Sequence, residues 1–137
     1  MNGRRPAARS MSAAKPAGAK KPSPRGSSPY GYAFTDWLAK EDPEYARARQ
    51  PLSDLSFGDG KELAIKYREM VAIGIIAFRG RQDGVVAHMR RAIQHGATKR
   101  ELLEAIQSAA VPGGGPTLST GVQALMEIEA AGGFKNG

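Results

Sequence analysis

Two side chains near the middle of this chain, Glu69 and His88, combine titratable groups with apolar neighbours. His88 lies three residues after Val85 and four before Ala92, at the edge of the apolar arc of a helical stretch. An imidazole there either shuttles protons or is a core histidine satisfied by a backbone or carboxylate partner. Glu69 opens the apolar run 70–78 and shares a helix face with Ala72, Ile73 and Ile76, a costly place for a carboxylate unless it is paired. The alternatives are an exposed first-turn glutamate favoured by the helix N-terminus, or a partner of Arg68 or Lys66. Arg79, Arg81 and Asp83 fill the turn between the two stretches, where they either hold an anionic substrate near a helix N-terminus or form a solvated charged turn. Gly113, Gly114 and Gly115, before Pro116, offer a weak anion cradle without the lysine and hydroxyl of a phosphate-binding loop. The chain has no cysteine, which excludes disulfides, zinc thiolates, iron–sulfur ligation and thiol redox chemistry. Two isolated histidines give no metal-ligand spacing, so no metal is expected.

Helices must position these groups. Asp42 is an N-cap before Pro43 at the first helical position, opening a segment to about residue 55 that Pro51 kinks or splits and that Gly58, Asp59 and Gly60 close. A helix follows over 64–79. Its run 70–78 has no polar residue on any side and is expected to be buried all round, and the lead-in 66–70 makes it too long for a strand. The next helix, 82–94, turns Val85, Met89, Ala92 and Ile93 to the core and Arg90 and Gln94 to water. Gly96 supplies a left-handed cap, and His95 sits structurally at the helix C-terminus. The turn at Gly80 and Arg81 is short enough to force antiparallel packing, which puts an encounter of Glu69 with His88 within reach. Thr98 and Glu101 form a capping box for a helix with Leu102, Leu103, Ile106 and Ala109 as its stripe and Pro112 as its stop. Pro116 begins a last helix to about residue 131, ended by Gly132 and Gly133. The fold class is all-α, without repeats.

A length of 137 residues suits one domain. The net charge of +7 sits entirely in residues 1–29, which hold seven basic residues and no acid, whereas residues 30–137 are neutral. Five prolines and the lack of aromatic or β-branched residues mark 1–29 as a disordered basic tail, leaving 30–137 as the folded domain. The composition also has features of an organelle transit peptide, but the prolines and glycines interrupt the amphipathic helix such a signal needs. Without interleaved aromatics the tail is expected to bind nucleic acid weakly, if at all. No apolar run reaches the roughly 18 to 20 residues of a membrane span, and the N-terminus has no secretory core, so a soluble cytoplasmic protein with no membrane partner is expected.

The order of these features resembles the carboxymuconolactone decarboxylase and alkylhydroperoxidase D-like superfamily over about 62–131, more loosely from 43. The resemblance rests on Lys66, Tyr67, Arg68 and Glu69 before the apolar helix, on the string His88-Met89-Arg90-Arg91-Ala92, on Gly96-Ala97-Thr98 with Glu101, and on Gly113-Gly114-Gly115-Pro116. It implies a compact helical domain that assembles as a trimer or hexamer, an expectation compatible with nine successive apolar positions that about 100 residues can hardly cover. Peroxidase members carry a CxxCxxxH motif whose histidine matches His88. Its cysteines would fall at Arg81 and Gly84, so the thiol chemistry is excluded, while the carboxylate of the family's proton relay falls on Glu69. The lactone decarboxylase branch lacks the cysteines too and needs no cofactor. By that resemblance the chain is a cofactor-free acid–base lyase or isomerase of a small carboxylic acid or lactone. His88 then moves the proton, Glu69 orients it and raises its basicity, and Arg81 or Arg79 binds a carboxylate, with Asp83, Gly114 and Gly115 also substrate-binding. The alternative is a non-catalytic oligomeric scaffold or binding protein derived from an alkylhydroperoxidase D-like ancestor.

Overall fold

Capping and turn chemistry account for most of the element boundaries. The computed structural model describes residues 28–134 as six helices, with no strand among the described residues. They are α1 (Ala33–Glu41), α2 (Pro43–Phe57), α3 (Ile65–Phe78), α4 (Gln82–Gln94), α5 (Lys99–Gly113) and α6 (Gly115–Ala130). The Asp42 side chain accepts the Tyr45 amide at 3.0 Å and so starts α2. Thr98 and Glu101 close the full capping box of α5. Helix α4 begins and ends where the sequence places it, with Gly96 at φ +87° behind its C-cap His95.

Three expectations are corrected. Pro51 does not split α2, which runs unbroken through it: the proline and Arg47, whose carbonyl loses a helical donor, are both exposed, so water can take the bond. Pro112 does not stop α5. That helix ends one residue later against Gly114, whose φ of +82° no β-carbon-bearing residue adopts readily, and α6 starts at Gly115 with Pro116 in its first turn. Helix α3 is not buried all round, because Ile73 and Ala77 are in the core while Val71, Ile75 and Phe78 are 58%, 58% and 66% exposed. The expected disordered tail lies outside the described residues apart from Ser28 and Pro29.

Helices α3 to α6 form the core, built on Ile73, Val85, Met89, Leu102, Ile106, Leu125 and Ile128. Lys66 ties α3 to α5 through Glu101 at 2.7 Å, and Gln82 reaches Glu127 of α6 at 3.1 Å. Helices α1 and α2 bury no residue of their own and pair with each other, with α2 touching α3. The loop between α2 and α3 is tied by Arg68, whose guanidinium donates to the carbonyls of Ser56, Gly58 and Leu63 at 2.6, 2.6 and 2.9 Å. None of the described helices is long and apolar enough to cross a membrane.

Candidate active site

The carboxylate on α3 and the imidazole on α4 meet as the antiparallel turn requires. Glu69 has no exposed surface, and its Oε2 lies 2.7 Å from His88 Nδ1. The other oxygen, Oε1, accepts Arg91 Nε at 3.0 Å and the Tyr30 hydroxyl at 2.9 Å. Three donors therefore converge on one buried carboxylate, an arrangement that offsets the cost of burying it. With Nδ1 donating to Glu69, His88 carries its ring lone pair on Nε2. No described side chain bonds Nε2. Neither Arg68 nor Lys66 is the partner of Glu69: Arg68 serves the α2–α3 loop and Lys66 serves Glu101.

His88 and Arg91 lie at the base of a cavity of about 510 Å³. Its walls come from Tyr30 and Tyr32 before α1, Phe34 and Leu38 of α1, and Arg49 and Phe57 of α2. The Tyr30 ring stacks on His88 with centroids 4.2 Å apart, and Phe57 flanks the imidazole at 5.9 Å. Burial, followed by the charge of Glu69, pushes the Tyr30 phenol far above its ordinary range, so it remains a donor at neutral pH. Arg91 also donates to the Phe57 carbonyl at 3.3 Å, and Arg49 lies over the Phe34 ring at 5.5 Å.

The other residues singled out from the sequence lie elsewhere. Arg81 and Asp83 pair with each other at 3.0 Å, more than half exposed, which holds the Asp83 carboxyl below its usual range. Arg79 is exposed at the C-cap of α3. Gly114 and Gly115 form the α5–α6 joint, where the Gly114 amide is already spent on the Ala110 carbonyl. None of these five lines the cavity. Sequence reasoning passed over Arg91 and Tyr30. Arg91 was signalled by its place three residues after His88, on the same helix face, whereas Tyr30, 39 residues from Glu69, gave no local signal. Among the described residues no cluster of three or more His, Asp or Glu side chains could hold a metal ion.

The sequence model of the carboxymuconolactone decarboxylase family matches residues 43–127, most of the chain and both halves of the Glu69–His88 pair. The chain belongs to the carboxymuconolactone decarboxylase family. Two solved structures share the fold of this family member. A protein from Burkholderia xenovorans LB400 assigned as a carboxymuconolactone decarboxylase is 25% identical, with a TM-score of 0.65 over 73% of this chain and 80% of that one. A carboxymuconolactone decarboxylase family protein from Legionella pneumophila, in its apo form, is 28% identical, with a TM-score of 0.64 over 71% and 86%. No curated protein matches the chain. Within this family the chain is a cysteine-less member. A β-carbon added at Gly84, where the second thiol of the peroxidase motif would fall, would stand 2.8 Å from the Ile76 Cγ2 methyl and 3.6 Å from the Tyr32 hydroxyl. That position is filled by packing.

Proposed function

We propose that this carboxymuconolactone decarboxylase family member is a cofactor-free acid–base enzyme that decarboxylates or isomerises a small carboxylic acid or lactone in the cavity above His88. The observation that carries the reading is the buried Glu69 carboxylate, bonded at one oxygen to His88 Nδ1, so that the imidazole faces the cavity with Nε2 as its working nitrogen. In decarboxylation the bond between the substrate carboxylate and its α-carbon breaks and carbon dioxide leaves. The electron pair remains on the conjugated lactone, and His88, first protonated at Nε2 from solvent, passes that proton to carbon and returns to the neutral imidazole. Glu69 fixes the imidazole orientation and supports the imidazolium. The cationic contact for a substrate carboxylate moves from the turn to Arg91 and Arg49, which line the cavity. Thiol peroxidase chemistry has no residue to run on. The active form is a homo-oligomer of trimeric or hexameric order, for which the exposed apolar side of α3 supplies a face.

The test is a panel of small carboxylic acids and lactones in deuterated water, followed by proton NMR for loss of substrate and deuteron incorporation at carbon. The expected result is turnover that falls about 100-fold or more in His88→Ala and Glu69→Gln. Turnover unchanged in both variants, or none in the parent, defeats the reading. One observation favours a second reading, a non-catalytic scaffold: the Tyr30 ring covers a face of His88 and leaves that residue only 8% exposed. That reading predicts that no ligand of the panel raises the melting temperature of the parent.

A further inference from the structure

Tyr30 stands upstream of residue 43, where the match to the family begins, yet it touches both members of the buried pair. Its place is fixed locally. The Gly31 amide donates to the Ser28 carbonyl, the Tyr32 amide donates to Ser28 Oγ, both at 2.9 Å, and Gly31 takes a φ of +70° that turns the chain back toward α4. From there the hydroxyl donates to Glu69 Oε1 at 2.9 Å while the ring lies over the imidazole at an interplanar angle of 29°. Phe57 meets the tyrosine edge-on at 6.1 Å, and the Arg91 guanidinium lies 5.7 Å from the ring centroid. The tyrosine is thus held from three sides, and its two ends act on different atoms.

We infer that Tyr30 is a positioning residue of this site: its hydroxyl fixes the rotation of the Glu69 carboxylate, and its ring fixes the plane of the His88 imidazole and excludes water from one face of it. The inference rests on the reading of Glu69 and His88 as the acid–base pair. Arg91 alone would leave Oε1 of the fully buried Glu69 with one donor, where a carboxylate oxygen can take two. A phenol is suited to the task because it donates one hydrogen bond, stays neutral and presents an aromatic face for stacking. A substrate entering the cavity then meets an imidazole whose second ring nitrogen is aimed before binding, as preorganised catalysis requires.

The experiment is proton NMR of the full chain in water, in a His95→Gln background that leaves His88 as the sole imidazole. The resonance followed is the His88 Nδ1 proton bonded to Glu69. Tyr30→Phe keeps the stacked ring and removes the hydroxyl. The resonance is expected to persist but move downfield, because a carboxylate relieved of one donor bonds the imidazole more strongly. Tyr30→Leu removes the ring as well, and the resonance is expected to broaden and disappear through exchange with water. An unchanged resonance in Tyr30→Phe, with Tyr30→Leu lowering only the melting temperature, reduces Tyr30 to packing and overturns the inference. Absence of the downfield proton in the parent overturns it too. Because no substrate is involved, a failed enzymatic reading shows itself separately, as no turnover by a parent whose resonance is intact.

Discussion

At Glu69, on α3, the carboxylate ends three hydrogen bonds from two other parts of the chain: one from Tyr30 before α1, and two from His88 and Arg91 on α4. Removing it takes a partner from the Tyr30 hydroxyl and from Arg91, which keeps its bond to the Phe57 carbonyl, so Glu69→Ala should cost about 1–3 kcal/mol in urea denaturation. Glu69→Gln, which keeps the shape, should cost less. The pair itself was legible in the sequence: a lone acid at the edge of an apolar run and a lone histidine at the edge of an apolar arc, joined by a turn too short for any packing but antiparallel. Its completion was not. Tyr30 belongs to a stretch without periodicity and reaches the site only through the tertiary fold, and the turn residues Arg79, Arg81 and Asp83 looked suited to an anion although Arg81 and Asp83 satisfy each other in solvent. Lys66 and Glu101 offer a test in pH. Their hydrogen bond raises the lysine and lowers the glutamate from their ordinary ranges. The Glu101 contribution to stability is present above the usual carboxylate range and lost as pH falls through its depressed value. The Lys66 contribution is present below the usual ammonium range and lost as pH rises through its elevated value. Lys66→Met should therefore lower the melting temperature at neutral pH and weaken its decline in acid, read by calorimetry from neutral pH downward.

Helix limits were legible wherever two independent signals agreed. Helix α4 carries a turn before it and a glycine after it, and α5 opens on a complete capping box, so both starts are found where the sequence puts them. Where only one signal existed, the stronger physical constraint decided: the positive φ of Gly114 ended α5 after Pro112 had failed to. Periodicity was silent about α3, since a run apolar on every side cannot say which side faces the core. Thr98→Ala removes the hydroxyl that accepts the Glu101 amide at 3.1 Å and should cost about 1 kcal/mol by chemical denaturation. Gly84 marks the close approach of α4 to α3. Gly84→Ala drives its methyl into Ile76, so about 1–3 kcal/mol of destabilisation is expected, and a double-mutant cycle with Ile76→Ala should recover part of it. Additive losses in that cycle would mean that the two side chains do not compete for the same space.

For the molecule as a whole, the exposed side of α3 carries the clearest consequence. Tyr67, Val71, Ile75 and Phe78 follow one another at helical spacing and are each more than two-fifths exposed, a stripe that a protein rarely leaves in water. If it joins copies in the proposed oligomer, Ile75→Glu should shift the mass measured by light scattering to that of one chain while the helical circular dichroism holds. A parent already monomeric would remove that role from the stripe. The molecule also divides by how firmly its parts are anchored. The floor of the cavity belongs to α4 of the core, but the α1–α2 wall contributes no buried side chain and is tied at its end by Arg68, on the Ser56 and Gly58 carbonyls, and by Arg91, on the Phe57 carbonyl. Amide hydrogens of α1 and α2 should accordingly exchange with deuterium sooner than those of α4, through local openings that leave the core folded. Any ligand of this cavity then has its apparent affinity scaled by the fraction of time the wall is closed. Tightening that wall, rather than adding contacts to the ligand, becomes a route to stronger binding.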